Sequence, residues 1–277
     1  MGSPFQSRIG LLLALAALAT SAGAATGAGD DRWHFKLEPY LWFPNANLDV
    51  KTTVSGLPGP NGSQSRPVDV NAKVEPNDYL SNLKMAVMLL GEARKGKWSV
   101  FTDILYVDFK TEDGKVRSIS GPLGYRTTDI SRKADIDLST TLWTLAGGYR
   151  VAEVPNANLD LFAGFRYLVM NSNLDLTVQD SSGRFYRSNS TSLDQEDWDG
   201  IVGARGQLLL NDHWFMPYYA DVGAGDSNWT WQGMLGLGYR FDWGDIVLAV
   251  RSLSYHFDDN DADLRMTGPA LGVAFQW

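Results

Sequence analysis

From Trp33 to the last residue, apolar side chains keep returning at every second position. In WHFKLEPYLWF, Trp33, Phe35, Leu37, Pro39, Leu41 and Phe43 share one face, and His34, Lys36, Glu38, Tyr40 and Trp42 share the other. LKMAVMLLGEA sets Leu83, Met85, Val87 and Leu89 against Lys84, Ala86 and Glu92. WQGMLGLGYRF sets Trp231, Leu235, Leu237, Tyr239 and Phe241 against Gln232, Gly236 and Arg240. A period of two belongs to a pleated strand, whose successive side chains point to opposite faces; a helix would group positions i, i+3 and i+4. The chain is therefore built from strands, and what remains open is what each face meets.

Ten such runs lie near residues 33–43, 83–93, 98–109, 136–150, 159–170, 198–210, 214–223, 229–241, 246–256 and 264–277, the sixth, seventh and ninth being the least regular. Each has the about 9–11 residues with which a tilted strand crosses a bilayer. The connections alternate in length. RKGK, VAEVPNAN, NDHW and DWGD are short, whereas residues 44–82, 110–135 and 171–197 form long polar stretches; AGDSN and FDDNDADL are compact but fall on the long side of the alternation. Within 44–82, LDVKTTV and SRPVDVNAKVE flank the turn-rich SGLPGPNGSQ and predict a hairpin. EPNDYLSNLK predicts a helical turn starting near Pro76 or Asn77.

The first residues follow a different rule. One positive charge, Arg8, precedes an apolar run from Ile9 to about Leu18 and a small-residue stretch ending Ala22-Gly23-Ala24. That is the layout of a secretory signal peptide cut after about Ala24, which divides the chain into a targeting segment, 1–24, and one domain, 25–277. An exported chain without Cys has no disulfide framework and no thiolate chemistry. Beyond residue 24 no apolar run approaches the roughly 20 residues of a spanning helix. The 28 Gly, 10 Trp, 11 Tyr and 12 Phe suit a β protein, and a net charge of -8 argues against nucleic acid as a partner.

Two architectures use alternating strands. A soluble sandwich buries the apolar face; a membrane barrel turns it outward. Here the polar face carries glycine and single charges at mid-run. The apolar face gathers Trp33, Tyr149, Trp214, Tyr239, Phe241 and Trp277 near the short-turn ends, as an aromatic girdle at a lipid–water boundary does. The expected fold is all-β: a transmembrane antiparallel up-and-down β-barrel of about 10 strands, with 8 or 12 as alternatives, because loop hairpins alter the count. Bacterial outer-membrane barrels have short periplasmic turns and longer extracellular loops, which places both termini in the periplasm. A monomer is expected.

The chain ends on ALGVAFQW, where Leu271, Val273, Phe275 and Trp277 alternate up to a terminal aromatic. This ending resembles the C-terminal signal read by the barrel-assembly machinery. YLSNLKMAVMLLGEARKGKWSVFTDILYVDF, MPYYADVGAGDSNWTWQGMLGLGYRF and GPALGVAFQW together resemble a largely uncharacterised family of Gram-negative outer-membrane β-barrel proteins, over nearly all of the chain after residue 24. The resemblance implies a small porin-like barrel in the outer membrane, in contact with lipid and lipopolysaccharide. It implies no substrate, cofactor or catalytic residue.

The inward face is expected to carry charges of both signs: Lys36, Glu38, Lys84, Glu92, Asp103, Arg150, Asp160, Arg166, Asp199, Arg205, Asp221, Arg240 and Arg251. GYR at 148–150, GFR at 164–166, GAR at 203–205 and GYR at 238–240 put a glycine and an arginine on that face. The planar guanidinium fork pairs bidentately with carboxylates. Such a set either packs into a network that closes a narrow lumen or forms a constriction that selects solutes, and ten strands lie near the filled end of the size range. The expected function is a narrow porin or channel, or a structural membrane component; a lipid hydrolase and a loop-mediated adhesin or receptor are the alternatives.

Candidates for chemistry are few. Ser254 and His256 stand two apart and so share a face, which meets lipid if Arg251 points inward. A Ser–His pair can attack an ester, and this one loosely resembles the pair of outer-membrane lipid A deacylases. Here, however, Ser precedes His, and the pattern places no acid beside them. A similarity to the omptin surface proteases, also ten-stranded, would rest on Asp221, His256 and Asp258, with no alignable motif. DDNDAD at 258–263 offers oxygen ligands to a divalent cation but lacks the spacing of an EF-hand loop. No catalytic residue is otherwise assigned, and no metal or cofactor is expected.

Overall fold

A computed structural model describes residues 32–59, 62–80, 83–114, 118–120, 130–180, 186–257 and 262–277. The expected signal peptide at 1–24 lies outside the described residues, as do Asp258 and residues 259–261 of the acidic loop. In chain order the elements are β1 (Trp33–Trp42), β2 (Asn45–Gly59), β3 (Gly62–Val74), α1 (Pro76–Tyr79), β4 (Leu83–Lys95), β5 (Trp98–Gly114), β6 (Ser118–Ser120), β7 (Ile130–Val154), β8 (Ala157–Asp180), β9 (Tyr186–Leu209), β10 (Trp214–Gly225), β11 (Trp229–Phe241), β12 (Gly244–Phe257) and β13 (Ala262–Gln276).

Among the described residues, ten of these strands close a ring in the order β1-β4-β5-β7-β8-β9-β10-β11-β12-β13, with β13 returning to β1; the pairings are antiparallel. At the seam Leu41 faces Leu271 and Lys36 faces Gln276, and Phe35 and Trp277 exchange both backbone hydrogen bonds, at 2.9 and 3.1 Å. A closed ring leaves no strand edge with unpaired N–H and C=O groups. The turns at one end are tight: Gly96-Lys97, Pro155-Asn156, residues 210–213 and Asp242-Trp243. Gly96 takes a φ of 56°, which lets a two-residue turn follow the strand twist. The start of β1 and the end of β13 lie at this short-turn end.

The opposite end rises as a second tier of wall. The stretches 110–135 and 171–197 hold the outer ends of β5, β7, β8 and β9. The hairpin expected in 44–82 is β2–β3, and the helical turn is α1. Trp42 faces Ala270 and, three positions on, Asn45 faces Thr267, so β2 carries β1's register further along β13. Phe43 still donates its N–H to Pro269 O at 2.9 Å, and Pro44, which has no N–H, ends β1. β3 then pairs with β2, and β6 with β3.

Burial along the strands is inverted relative to a water-soluble protein. Arg166, Asp199 and Thr230 are buried to within 1% of complete, whereas Val202, Val222, Leu248 and Val250 are 57–58% exposed. The polar faces meet inside the ring and the apolar faces form its outside. Aromatic rings on that outside touch in series near the short turns: Trp214–Tyr239 at 4.9 Å, Tyr239–Phe241 at 4.6 Å, Phe241–Trp243 at 5.4 Å, Trp243–Phe275 at 6.1 Å and Phe35–Trp277 at 6.0 Å. A second set, Trp143, Phe165, Trp198 and Tyr167, lies further along the outer face of β7, β8 and β9.

Candidate functional site

The interior falls into three layers. At the short-turn end a cavity of about 750 Å3 opens among His34, Lys36, Pro155 and Gln276. Strand alternation brings its charges together. Glu92 of β4 accepts from Arg94 at 2.8 Å and from Arg205 of β9 at 3.0 Å. Asp160 of β8 accepts from Arg150 of β7 at 2.8 Å and from Arg94. The Arg205 guanidinium lies 3.8 Å over the Phe101 ring. Lys36 and Glu38 pair at 2.6 Å along β1, and Arg240 reaches Asp245 at 3.5 Å.

The cavity ends on a second layer. Arg251 donates to Asp103 at 2.9 Å, to Tyr40 Oη at 2.7 Å and to Gln232 Oε1 at 2.9 Å, while Tyr40 donates to Asp103 at 2.6 Å. Arg166 and Asp221, both fully buried, pair nearby, with Thr230 Oγ1 3.3 Å from the guanidinium and Tyr219 donating to the same carboxylate. Asp199 accepts from Ser227 N at 3.1 Å and Ser227 Oγ at 2.7 Å. The third layer is apolar: Trp42, Met88, Leu105, Leu142, Leu168, Leu253, Tyr255, Phe257 and Leu264 belong to one buried cluster that also reaches Phe215, Val247, Ala249 and Ala270 along the cavity wall, with Leu168, Leu253 and Tyr255 at 0% exposure.

The glycines of the GYR-like segments make this packing possible. A Cβ on Gly203 would lie 2.5 Å from the Phe162 ring, and one on Gly238 would lie 2.3 Å from the Phe215 ring. Each glycine leaves room for an aromatic ring that fills the lumen from a neighbouring strand.

Lys36, Glu38, Glu92, Asp103, Arg150, Asp160, Arg205 and Arg251 line the cavity. Arg166, Asp199 and Asp221 are buried in the packed layer instead, and Arg240 sits at the short-turn rim against Phe215. Lys84 stands apart: a register shift between Leu83 and Met85 disturbs the alternation there, and its exposed ammonium pairs with Asp108 at 3.4 Å. Arg94, Tyr40, Tyr219, Gln232 and Asp245 join the network in addition to the charges expected from the sequence. Arg94 stands two positions on from Glu92 and so shares its inward face. His213 lies in a short turn and stacks on Tyr239 at 5.6 Å.

On β12 and β13 the outer wall turns polar toward the long-strand end. On β12, outward Ile246, Leu248 and Val250 give way to Ser252, Ser254 and His256; on β13, Phe275, Val273, Leu271 and Pro269 give way to Thr267, Arg265 and Asp263. The change falls on one rung of the ladder, between Val250–Pro269 and Ser252–Thr267, and β2 continues it with Asn45 beside Thr267. Ser252 and Thr267 share a hydrogen bond of 2.7 Å. Two rungs up, His256 Nδ1 meets the Asp263 carboxylate. The acid missing beside Ser254 and His256 in the sequence is thus supplied by the neighbouring strand.

The chain is a closed, ten-stranded, antiparallel up-and-down barrel with a charge-filled interior and an apolar outer wall. No protein-family model and no curated protein matches its sequence. Among solved structures it is similar to the outer membrane protease OmpT from Escherichia coli, at 10% identity over 92% of this chain and 99% of that one, TM-score 0.46. It is also similar to the translocator domain of the autotransporter NalP from Neisseria meningitidis, at 14% identity over 88% of each chain, TM-score 0.44. A third is the CymD monoaromatic hydrocarbon channel, at 9% identity over 90% and 89%, TM-score 0.36. These carry no residue role over to this chain.

Proposed function

We propose that the protein is an outer-membrane β-barrel of a Gram-negative bacterium that is closed to solutes, its lumen forming a blind vestibule entered from the periplasm. The inverted burial supports the membrane reading. Thirty large apolar side chains are exposed among the described residues; at roughly 25 cal/mol per Å2, water contact over them would cost on the order of tens of kcal/mol, more than the 5–15 kcal/mol by which domains are stable. Lipid removes that cost, and a closed barrel satisfies every backbone group within it.

In this reading the short-turn end, with both termini, faces the periplasm, and the aromatic rings there sit at the lipid–water boundary. Leu271, Val273, Phe275 and Trp277 engage the barrel-assembly machinery during biogenesis, and the mature protein is a monomer surrounded by lipid and lipopolysaccharide.

The observation that supports the closed state is the buried apolar cluster around Trp42, Leu168 and Leu253, three large side chains at 0–2% exposure inside the ring. The test is planar-bilayer conductance of the refolded chain. The wild type is expected to be silent, and a variant combining Trp42→Ala, Leu168→Ala and Leu253→Ala to show discrete steps. Reproducible, charge-selective steps from the wild type would overturn the closed reading in favour of a narrow porin.

A further inference from the structure

We infer that Ser254, His256, Asp263 and Arg265 form an acyl-ester hydrolase site on the outer wall, acting on membrane lipid where the apolar belt ends. The inference rests on the membrane reading above but not on whether the lumen is closed.

Four residues occupy two adjacent rungs of β12 and β13. Ser254 faces Arg265 across the ladder, and His256 faces Asp263. Directly opposed side chains on one face have Cβ atoms about 4.5–5.5 Å apart, and Ser254 and His256, two apart on one strand, share that face. Their outward direction follows from their neighbours: Arg251, Leu253 and Tyr255 are the inward series, at 4% exposure or less. Asp263 engages His256 at Nδ1, the nitrogen an orienting carboxylate holds in a Ser–His–acid triad, so proton transfer with Ser254 falls to Nε2. Arg265 is the cation beside Ser254, placed to meet negative charge developing on a carbonyl oxygen. On the other side of β12, Trp231 faces Ser254 and Trp229 faces His256, with ring centroids of Trp229 and His256 6.2 Å apart.

The height of the site selects the substrate. Val250 and Pro269 are the last apolar rung and Ser252–Thr267 the first polar one. Ser254 is one rung higher, about 7 Å along the strands. An acyl chain lying along Leu248 and Val250 places its ester linkage at this level. Ser254 is 6% exposed, so the lipid enters by displacing a neighbouring side chain.

The chemistry balances as hydrolysis. Ser254 Oγ bonds to the ester carbonyl carbon while its proton passes to His256 Nε2. The tetrahedral oxyanion, held by Arg265, collapses; the carbon–alkoxy bond breaks and the alcohol leaves with that proton. Water then attacks the acyl-serine, gives its proton to His256, and fatty acid and Ser254 are released. Asp263 is a positioning residue.

The test uses the full mature chain refolded in detergent, with folding scored by heat-modifiable gel mobility. Three substrates are offered: a soluble p-nitrophenyl ester, phosphatidylethanolamine in mixed micelles, and purified lipopolysaccharide. Fatty-acid or nitrophenol release is expected from the wild type, with at least about 100-fold loss in Ser254→Ala and His256→Ala. Asp263→Asn should lose activity and Asp263→Glu regain part of it. A fluorophosphonate should label Ser254 in the wild type, located by peptide mass spectrometry. Release from phosphatidylethanolamine, from lipopolysaccharide or from both identifies the lipid source and supports the site. A folded wild type that cleaves none of the three and is not labelled at Ser254 would overturn it, as would undiminished cleavage by Ser254→Ala. Cleavage of the soluble ester by a chain that fails to enter vesicles would preserve the site and sink the membrane reading instead.

Discussion

Removing one half of the Arg166–Asp221 pair is the most direct test of how the interior holds together. Both side chains are at 0% exposure; Tyr219 donates to Asp221, and apart from that carboxylate the guanidinium has, among the described residues, only Thr230 Oγ1 at 3.3 Å and Thr144 Oγ1 at 3.5 Å as side-chain hydrogen-bond partners. Asp221→Ala leaves a guanidinium buried without its carboxylate. Breaking a buried pair from one side typically costs about 3–5 kcal/mol. Coulomb attraction at hydrogen-bonding distance, with an effective dielectric of about 20, comes to roughly 5 kcal/mol, the same size. Replacing both partners removes the stranded charge, so Arg166→Leu with Asp221→Leu should recover most of the loss. A penalty of about 1–3 kcal/mol remains, because Tyr219 then has no acceptor for its hydroxyl. The assay is urea unfolding of the full chain from phospholipid vesicles, followed by tryptophan fluorescence. An Asp221→Ala cost below about 1 kcal/mol, the range of an exposed pair, would refute the reasoning. So would a double variant whose loss equals the sum of the two singles.

Two further outcomes follow from the packing. Gly203→Ala should destabilise by about 1–3 kcal/mol in the same assay, because its Cβ would stand 2.3 Å from Ala220 O and 2.5 Å from the Phe162 ring; a neutral result would mean that β10 and Phe162 shift without strain. Thr102→Val should cost about 1 kcal/mol, since Trp143 Nε1 donates to Thr102 Oγ1 at 2.9 Å on the outer face, where lipid offers no replacement acceptor; an unchanged unfolding curve would show that water reaches this position.

How much was legible before the fold was known depends on the distance over which each property is encoded. Strand identity is local: alternation over about ten residues marked every strand of the ring, because a pleat turns each side chain over with period two. The inward set followed from the same parity, which is why Glu92, Asp160, Arg205 and Arg251 could be named from the sequence. Parity failed where geometry departs from the ideal pleat. The shift beside Met85 moves Lys84 out of the series.

Partnership is not local. That Asp160 holds both Arg94 and Arg150, that Arg251 bridges Asp103 and Tyr40, and that Asp263 meets His256 are matters of register between strands, and a slip of one residue would have sent each of these side chains to the other face. The sequence by itself determined strands, their two faces and the apolar–polar contrast between them, since these depend on neighbours along the chain. The tertiary structure alone decided which charges neutralise each other, which apolar side chains pack together inside the ring, and that an acid lies beside His256. Those outcomes depend on ring closure, which brings together residues far apart in the chain.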